Sequence, residues 1–278
     1  MATKPVIAGT DGSQESLRAV EWAAREAVLR ATSLRIIAVP VLPPRMTATP
    51  ATPGTVSYVV EQSMSQALAA AAQQAAAQQP GLSIDTHLVA GAPAEVLTDA
   101  AQDASMLVLG SRGAGGFSAM ILGSVSRYVA THALVPVVVA REETTAAHRE
   151  IVVGVRDLAQ SAAVLEFGFE EAALRHARLL AVHAWSWSVP GHPEAPGEET
   201  SRLQSAVTAW QEKFPGVEAR GEAVRAHPGR VLAGSSARAE LVVLGRHAPG
   251  GLRAPGVGSV THAVLSHAHG PVVSVPED

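Results

Sequence analysis

GSRGAGGFSAMILGSVS, residues 110–126, lies between the apolar runs ASMLVLG and PVVVA and carries five glycines and four serines. A slack surface loop needs no fixed spacing of its glycines; a cradle for a ligand does. The spacing is Gly110-x2-Gly113-x9-Gly123-Ser124, with Ser126 two residues further on. Residues 108–140 align without a gap to 243–275, so Gly110, Gly123 and Ser124 recur as Gly245, Gly258 and Ser259. PVIAGTDGS at 5–13 answers EIVVGVRDL at 150–158, and LRIIAVPV at 34–41 answers ARLLAVHAW at 177–185. Such self-similarity marks two copies of one fold. The expected domains are 1–142 and 148–278, with REETTAAHR (141–149) as linker.

Each half alternates strand-like and helix-like segments, the pattern of an α/β fold with a parallel sheet and crossover helices. The expected strands of the first half are VIAGT, LRIIAVPV, THLVAGAP, SMLVLG and PVVVA, five in all. Ser13 is a candidate cap for the helix SLRAVEWAAREAVLR. A long Ala/Gln-rich packing helix is expected over 57–78, after a Pro/Thr-rich loop at 43–54. A further helix is expected to start at Pro93, and SVSRYVATHA is expected to be helical. The second half repeats the order, with its own loop at 188–199. A run such as SMLVLG, without polar alternation, is what a strand covered on both faces looks like. Ligands of such sheets bind beyond the carboxyl ends of the strands, where 110–126 begins.

Composition narrows the function. The chain has 278 residues, 47% apolar and 17% charged, with a net charge of −4, which gives no footprint for nucleic acid or an anionic membrane. No segment approaches a membrane span, and the N-terminus has no signal-like apolar region. There is no cysteine, which excludes disulfides and zinc–thiolate sites, so a cytoplasmic protein is expected. Nine of the eleven histidines lie at or beyond His148, but no carboxylate completes a ligand set, and no metal site is expected. No G-x-S-x-G elbow is present, and no catalytic residue is expected.

Gly110 and Gly113 let a backbone turn sharply and approach a ligand closely. Gly123 and Ser124 sit where a helix begins, and a helix start exposes unpaired amides and partial positive charge that favour phosphate. Ser124 and Ser126 add hydroxyls; Ser124 and Ser259 are also candidate helix caps. A Walker A loop needs a lysine in its motif, and the chain's two lysines, Lys4 and Lys213, lie elsewhere. The Rossmann fingerprint fails as well, because Ser118 stands where its third glycine belongs.

On these residues the chain resembles the universal stress protein family, in its tandem form. G-x2-G-x9-G-[ST] is similar to that family's ATP-binding signature, VIAGTDGS to its opening and GSVSRYVATHALVPVVVA to its closing segment. The resemblance implies a five-stranded parallel sheet in each half, with ATP, with or without Mg2+, in a cleft at its carboxyl edge. It places Gly9, Thr10 and Asp11 near ribose and adenine, Val39 at adenine, Leu109 and Gly110 beside the ribose. Gly113, Gly123, Ser124, Val125 and Ser126 then hold the phosphates, with Arg112 inside the loop. The counterparts in the second half are Gly154, Val182, Leu244, Gly245, Ala248, Gly258, Ser259, Val260 and Thr261. There the motif is degenerate: Ala248 replaces Gly113, and Arg156 replaces Asp11.

The expected function is that of an ATP-binding stress-response or signalling protein. The alternatives are a slow ATPase and a nucleotide-free protein-interaction module. The apolar end strands PVVVA and PVVSV leave a homodimer possible, and a protein partner is implied without being named.

Overall fold

A computed structural model of the chain describes residues 3–41, 53–113, 122–142, 149–158, 160–185, 196–247 and 258–277. The loop tips 114–121 and 248–257, and with the latter Ala248, lie outside the described residues, as do most of the linker and the Pro/Thr-rich loop. The chain divides into two compact units, Met1–Ala140 and Arg141–Asp278.

The first unit runs β1 (Val6–Thr10), α1 (Gln14–Leu29), β2 (Leu34–Ala38), α2 (Pro53–Gln78), β3 (Ile84–Leu88), α3 (Pro93–Ala100), β4 (Met106–Gly110), α4 (Ser124–His132) and β5 (Val137–Ala140). Its sheet is parallel, in the order β3-β2-β1-β4-β5. The second unit repeats this with β6 (Glu150–Gly154), α5 (Ala162–Arg175), β7 (Arg178–Ala184), α6 (Pro196–Gln211), β8 (Ala219–Val224), α7 (Pro228–Ser235), β9 (Leu241–His247), α8 (Ser259–His267) and β10 (Val272–Glu277). Its parallel order is β8-β7-β6-β9-β10. In each unit the strand order reverses between the first and fourth strands, the switch point at which doubly wound sheets open a crevice.

The central strands β1 and β4 are buried along their whole length, as their continuous apolar runs require. β3 differs: four of its five residues are exposed, and its sequence IDTHL is that of an edge strand. For that reason the apolar segment THLVAGAP placed it two residues too late. β2 also ends early, at Ala38, because Pro40 has no N–H to continue the ladder. α2 starts at Pro53 and α6 at Pro196, inside stretches whose Pro and Gly content had indicated loops. α2 buries Leu68, Ala71 and Ala75 along one narrow stripe, and its Gln74 and Gln78 amides donate to the Glu21 carboxylate.

Strand pairing fixes how the halves correspond. Val6 pairs with Met106 and Leu34, whereas Ile151 pairs with Leu241 and Leu179. Leu34 is therefore the counterpart of Leu179, and Val39 the counterpart of Ala184. The expected match of Val39 with Val182 is corrected by two residues; Val182 stands opposite Gly154 as Ile37 stands opposite Gly9. A slip of two keeps every side chain on its own face, so the alternating pattern cannot detect it.

Candidate functional site

The cleft of the first unit opens at the carboxyl ends of β1, β2 and β4 and encloses about 580 Å3. All twelve residues expected at the first site line it: Gly9, Thr10, Asp11, Val39, Leu109, Gly110, Arg112, Gly113, Gly123, Ser124, Val125 and Ser126. Ile37, Met64 and Leu97 complete an apolar floor that sequence reading missed. The recurrence of Leu97 as Leu232 was the available signal.

The turn from β1 into α1 is held by a closed hydrogen-bond net. Ser16 Oγ donates to Ser13 O at 2.9 Å, so the Thr10 hydroxyl donates to Ser16 Oγ at 3.0 Å. Asp11 Oδ1 accepts from Ser13 N at 3.0 Å and Ser13 Oγ at 2.5 Å, an Asx-type turn. Ser13 caps α1 by accepting from Ser16 N. This net fixes the Asp11 carboxylate at the cleft rim. Arg112 donates to Glu15 Oε1 at 3.1 Å, which ties the start of the glycine loop to α1.

The glycines of the motif have different physical causes. A Cβ on Gly110 would lie 2.8 Å from the Glu15 backbone, so glycine there lets α1 pack on β4. On Gly9 it would lie 2.6 Å from Leu109 Cδ2, so glycine seats the leucine floor. On Gly113 it would lie 2.4 Å from Asp11 Oδ2. The φ of Gly113 is not in the left-handed region, so closeness to Asp11 and not backbone freedom excludes a side chain. Gly123 stands apart: its Cβ would meet nothing nearer than 3.5 Å, an ordinary contact. Neither packing nor φ demands glycine at 123.

Gly123 is instead the N-cap of α4, and no side chain caps that helix. The first intrahelical bond is Arg127 N to Gly123 O, so the amides of residues 124–126 precede it. Serine is thus not the cap, contrary to expectation: Ser124 and Ser259 are the first helical residues, behind Gly123 and Gly258. The role expected of the Ser126 hydroxyl is corrected too. It is buried and donates to Gly110 O at 2.7 Å, and Thr261 Oγ1 does the same to Gly245 O at 3.0 Å. Both latch the helix onto the preceding strand and leave no proton for a ligand. His132 and His267 each donate Nδ1–H to the carbonyl four residues back, at 2.8 Å, so the repeated histidine is structural.

The second unit has a smaller cleft of about 410 Å3, lined by Gly154, Val182, Leu244, Gly245, Gly258, Ser259, Val260 and Thr261 of the expected residues. Its chemistry differs. β1-to-β2 and β6-to-β7 spans are equally long, yet α1 begins four residues after Thr10 and α5 seven after Val155. Nearly one turn of helix is missing. A Cβ on Gly245 would lie 2.4 Å from the Glu277 carboxylate, whereas its counterpart on Gly110 meets the first turn of α1. Glu277, delivered by the longer β10, fills that space. Burial raises its pKa above the ordinary carboxylate value, opposed by Arg156 at 3.7 Å. Arg246, where the first unit has Ser111, is buried and lines the same cleft, and burial brings its pKa down to about 10. His183 donates to Val155 O at 2.9 Å and stacks on Trp185, ring centroids 5.5 Å apart.

Fold and clefts define a tandem doubly wound α/β protein with a ligand-sized crevice at the carboxyl edge of the sheet in each unit. The universal stress protein family matches residues 2–141 and 148–276, and the chain belongs to it. A universal stress protein of Mycobacterium tuberculosis is 32% identical over 98% of this chain and 96% of its own length. One of Mycolicibacterium smegmatis is 33% identical over 97% and 96%. Among solved structures, a universal stress protein from Archaeoglobus fulgidus covers 99% of both chains at 18% identity and a TM-score of 0.76, a likeness of fold. Among the described residues, no helix is long and apolar enough to cross a membrane.

Proposed function

We propose that the first cleft binds an adenine nucleotide, ATP in the first instance, and that the chain is a nucleotide-responsive signalling module. The observation that carries this is Gly123: a glycine that packing and φ do not require, capping a helix whose first amides no side chain covers. A Ser or Asp cap would fold its own oxygen over those amides; glycine leaves them to an incoming anion. The apolar floor of Ile37, Val39, Leu97 and Leu109 suits a flat base, and the fixed Asp11 carboxylate suits ribose hydroxyls. The volume lies within the range of small-molecule sites.

Asp11 is the sole carboxylate among the described residues lining this cleft, so a magnesium ion would rest on it, the phosphates and water. With no lysine and no second carboxylate or histidine among the described lining residues, the reading is of a binder with at most slow hydrolysis. In the second cleft Arg156 and the Glu277 carboxylate replace the arrangement around Asp11, so we assign one nucleotide per chain. Bound nucleotide stabilises the folded state by mass action and so couples the energy state to whatever protein reads this one.

The test is to denature the purified full chain, then identify and count the released adenine nucleotide, with calorimetry against ATP, ADP and cAMP. About one ATP per chain is expected. Finding no co-purified adenine nucleotide, and no binding of any of the three, would overturn the proposal.

A further inference from the structure

The same helix face carries opposite charge in the two units. α7 and the turn after it present Arg230, Gly234 and Arg238 at the mouth of a groove of about 630 Å3, whose floor is the β7–β8 surface. The counterparts on α3 and the turn after it are Glu95, Asp99 and Asp103. All of these residues are exposed.

Neighbouring charges do not cancel either set. In the groove, Arg178 pairs with Glu218 at 3.1 Å and Arg220 with Glu150 at 3.8 Å. That leaves Arg230 and Arg238 facing outward, with Glu222 on the opposite wall. In the first unit, Arg35 and His87 both engage Asp85, at 3.4 and 2.6 Å, and Lys4 Nζ donates to Gln102 O at 2.9 Å, so one cation stands beside the three carboxylates Glu95, Asp99 and Asp103 and leaves the face acidic. The outer residues of each set are eight apart in sequence and occupy matching positions of the repeat, so acid and base are spaced alike.

We propose that the α7 groove of one copy docks the acidic α3 face of a second copy. The partner is this chain because the complementary spacing is built into its own repeat. A nucleic acid or another polyanion would be repelled by the acidic face of the same molecule, whose net charge is −4. The contact joins unlike faces and is therefore heterologous. Its attraction is between exposed charges, so it is weak, screened by salt and decisive for partner choice more than for affinity.

Sedimentation of the full chain over a concentration series tests this. Weight-average mass should rise with concentration at about 0.1 M salt and return to that of the monomer near 1 M, as the Debye length falls from ~10 to ~3 Å. Arg230→Glu/Arg238→Glu should weaken association ~10-fold or more, and Asp99→Arg/Asp103→Arg should do the same. A chain carrying all four changes should associate again, which separates charge pairing from misfolding. A mass that never rises, one indifferent to salt, or a quadruple variant that stays monomeric would each overturn the proposal. So would salt-dependent compaction at constant monomer mass.

Discussion

Gly113→Ala probes the contact that distinguishes the two clefts. The added Cβ would sit 2.4 Å from Asp11 Oδ2, so the carboxylate must retreat by roughly 1 Å to reach van der Waals contact. Asp11 cannot retreat freely, because its other oxygen accepts from Ser13 N at 3.0 Å and Ser13 Oγ at 2.5 Å. Losing or stretching both bonds at a part-buried carboxylate costs about 1–2 kcal/mol. For a unit of this size that lowers the thermal midpoint by roughly 3–8 °C. Backbone strain adds nothing, since Gly113 does not occupy the left-handed region. The diagnostic is a double-mutant cycle followed by thermal unfolding of the full chain. In an Asp11→Ala background the collision is gone, so Gly113→Ala should cost little and the coupling should be about 1 kcal/mol. If Gly113→Ala costs as much with Asp11 as without it, the steric reasoning is wrong. In the sequence of the second half, Arg156 and Ala248 stand at the two positions.

Gly123→Ala meets only ordinary contacts and should cost the fold no more than about 1 kcal/mol as a poorer helix cap. It should weaken nucleotide binding ~10–100-fold in calorimetry by occupying the mouth of the amide cradle; unchanged affinity would place the phosphates elsewhere. Ser126→Ala and Thr261→Val each strand a strand-end carbonyl and should cost about 1–2 kcal/mol in urea unfolding, while Thr261→Ser should be nearly neutral. Glu277 has a folded pKa raised by burial, so the folded state resists its ionisation and stability falls as pH rises from its ordinary value through the raised one. Glu277→Gln should match the native chain in acid and become the more stable of the two towards neutral pH; a constant difference across that range would contradict the burial argument.

Much of the first cleft was readable because its residues come from chain segments with strong local signals. Asp11, Gly110 and Gly123 all sit at strand ends or helix starts, and the repeat showed which glycines keep their spacing. The reasons for those glycines were not readable. Gly9 and Gly110 answer to Leu109 and to the backbone of α1, neighbours that meet them only after folding. The hydroxyls of Ser126 and Thr261 looked like ligand donors until the strand-end carbonyls beneath them were placed. Glu277 lies more than a hundred residues from Arg156 in sequence, and nothing local tied a terminal glutamate to that cleft.

The sequence by itself determined the duplication, the alternation of strands and helices, and the edge of the sheet at which a ligand site belongs. Those follow from periodicity and from the special backbone demands of glycine and of helix starts, which act over a few residues. Tertiary structure decided the register between the halves, because a two-residue slip of β2 against β7 leaves every buried face unchanged. It also decided what replaced the missing turn of α5, since only a neighbouring strand brings the Glu277 carboxylate against Gly245. Hydrophobic patterning states which side of a strand is buried; which group fills a given gap is settled by what packs across it.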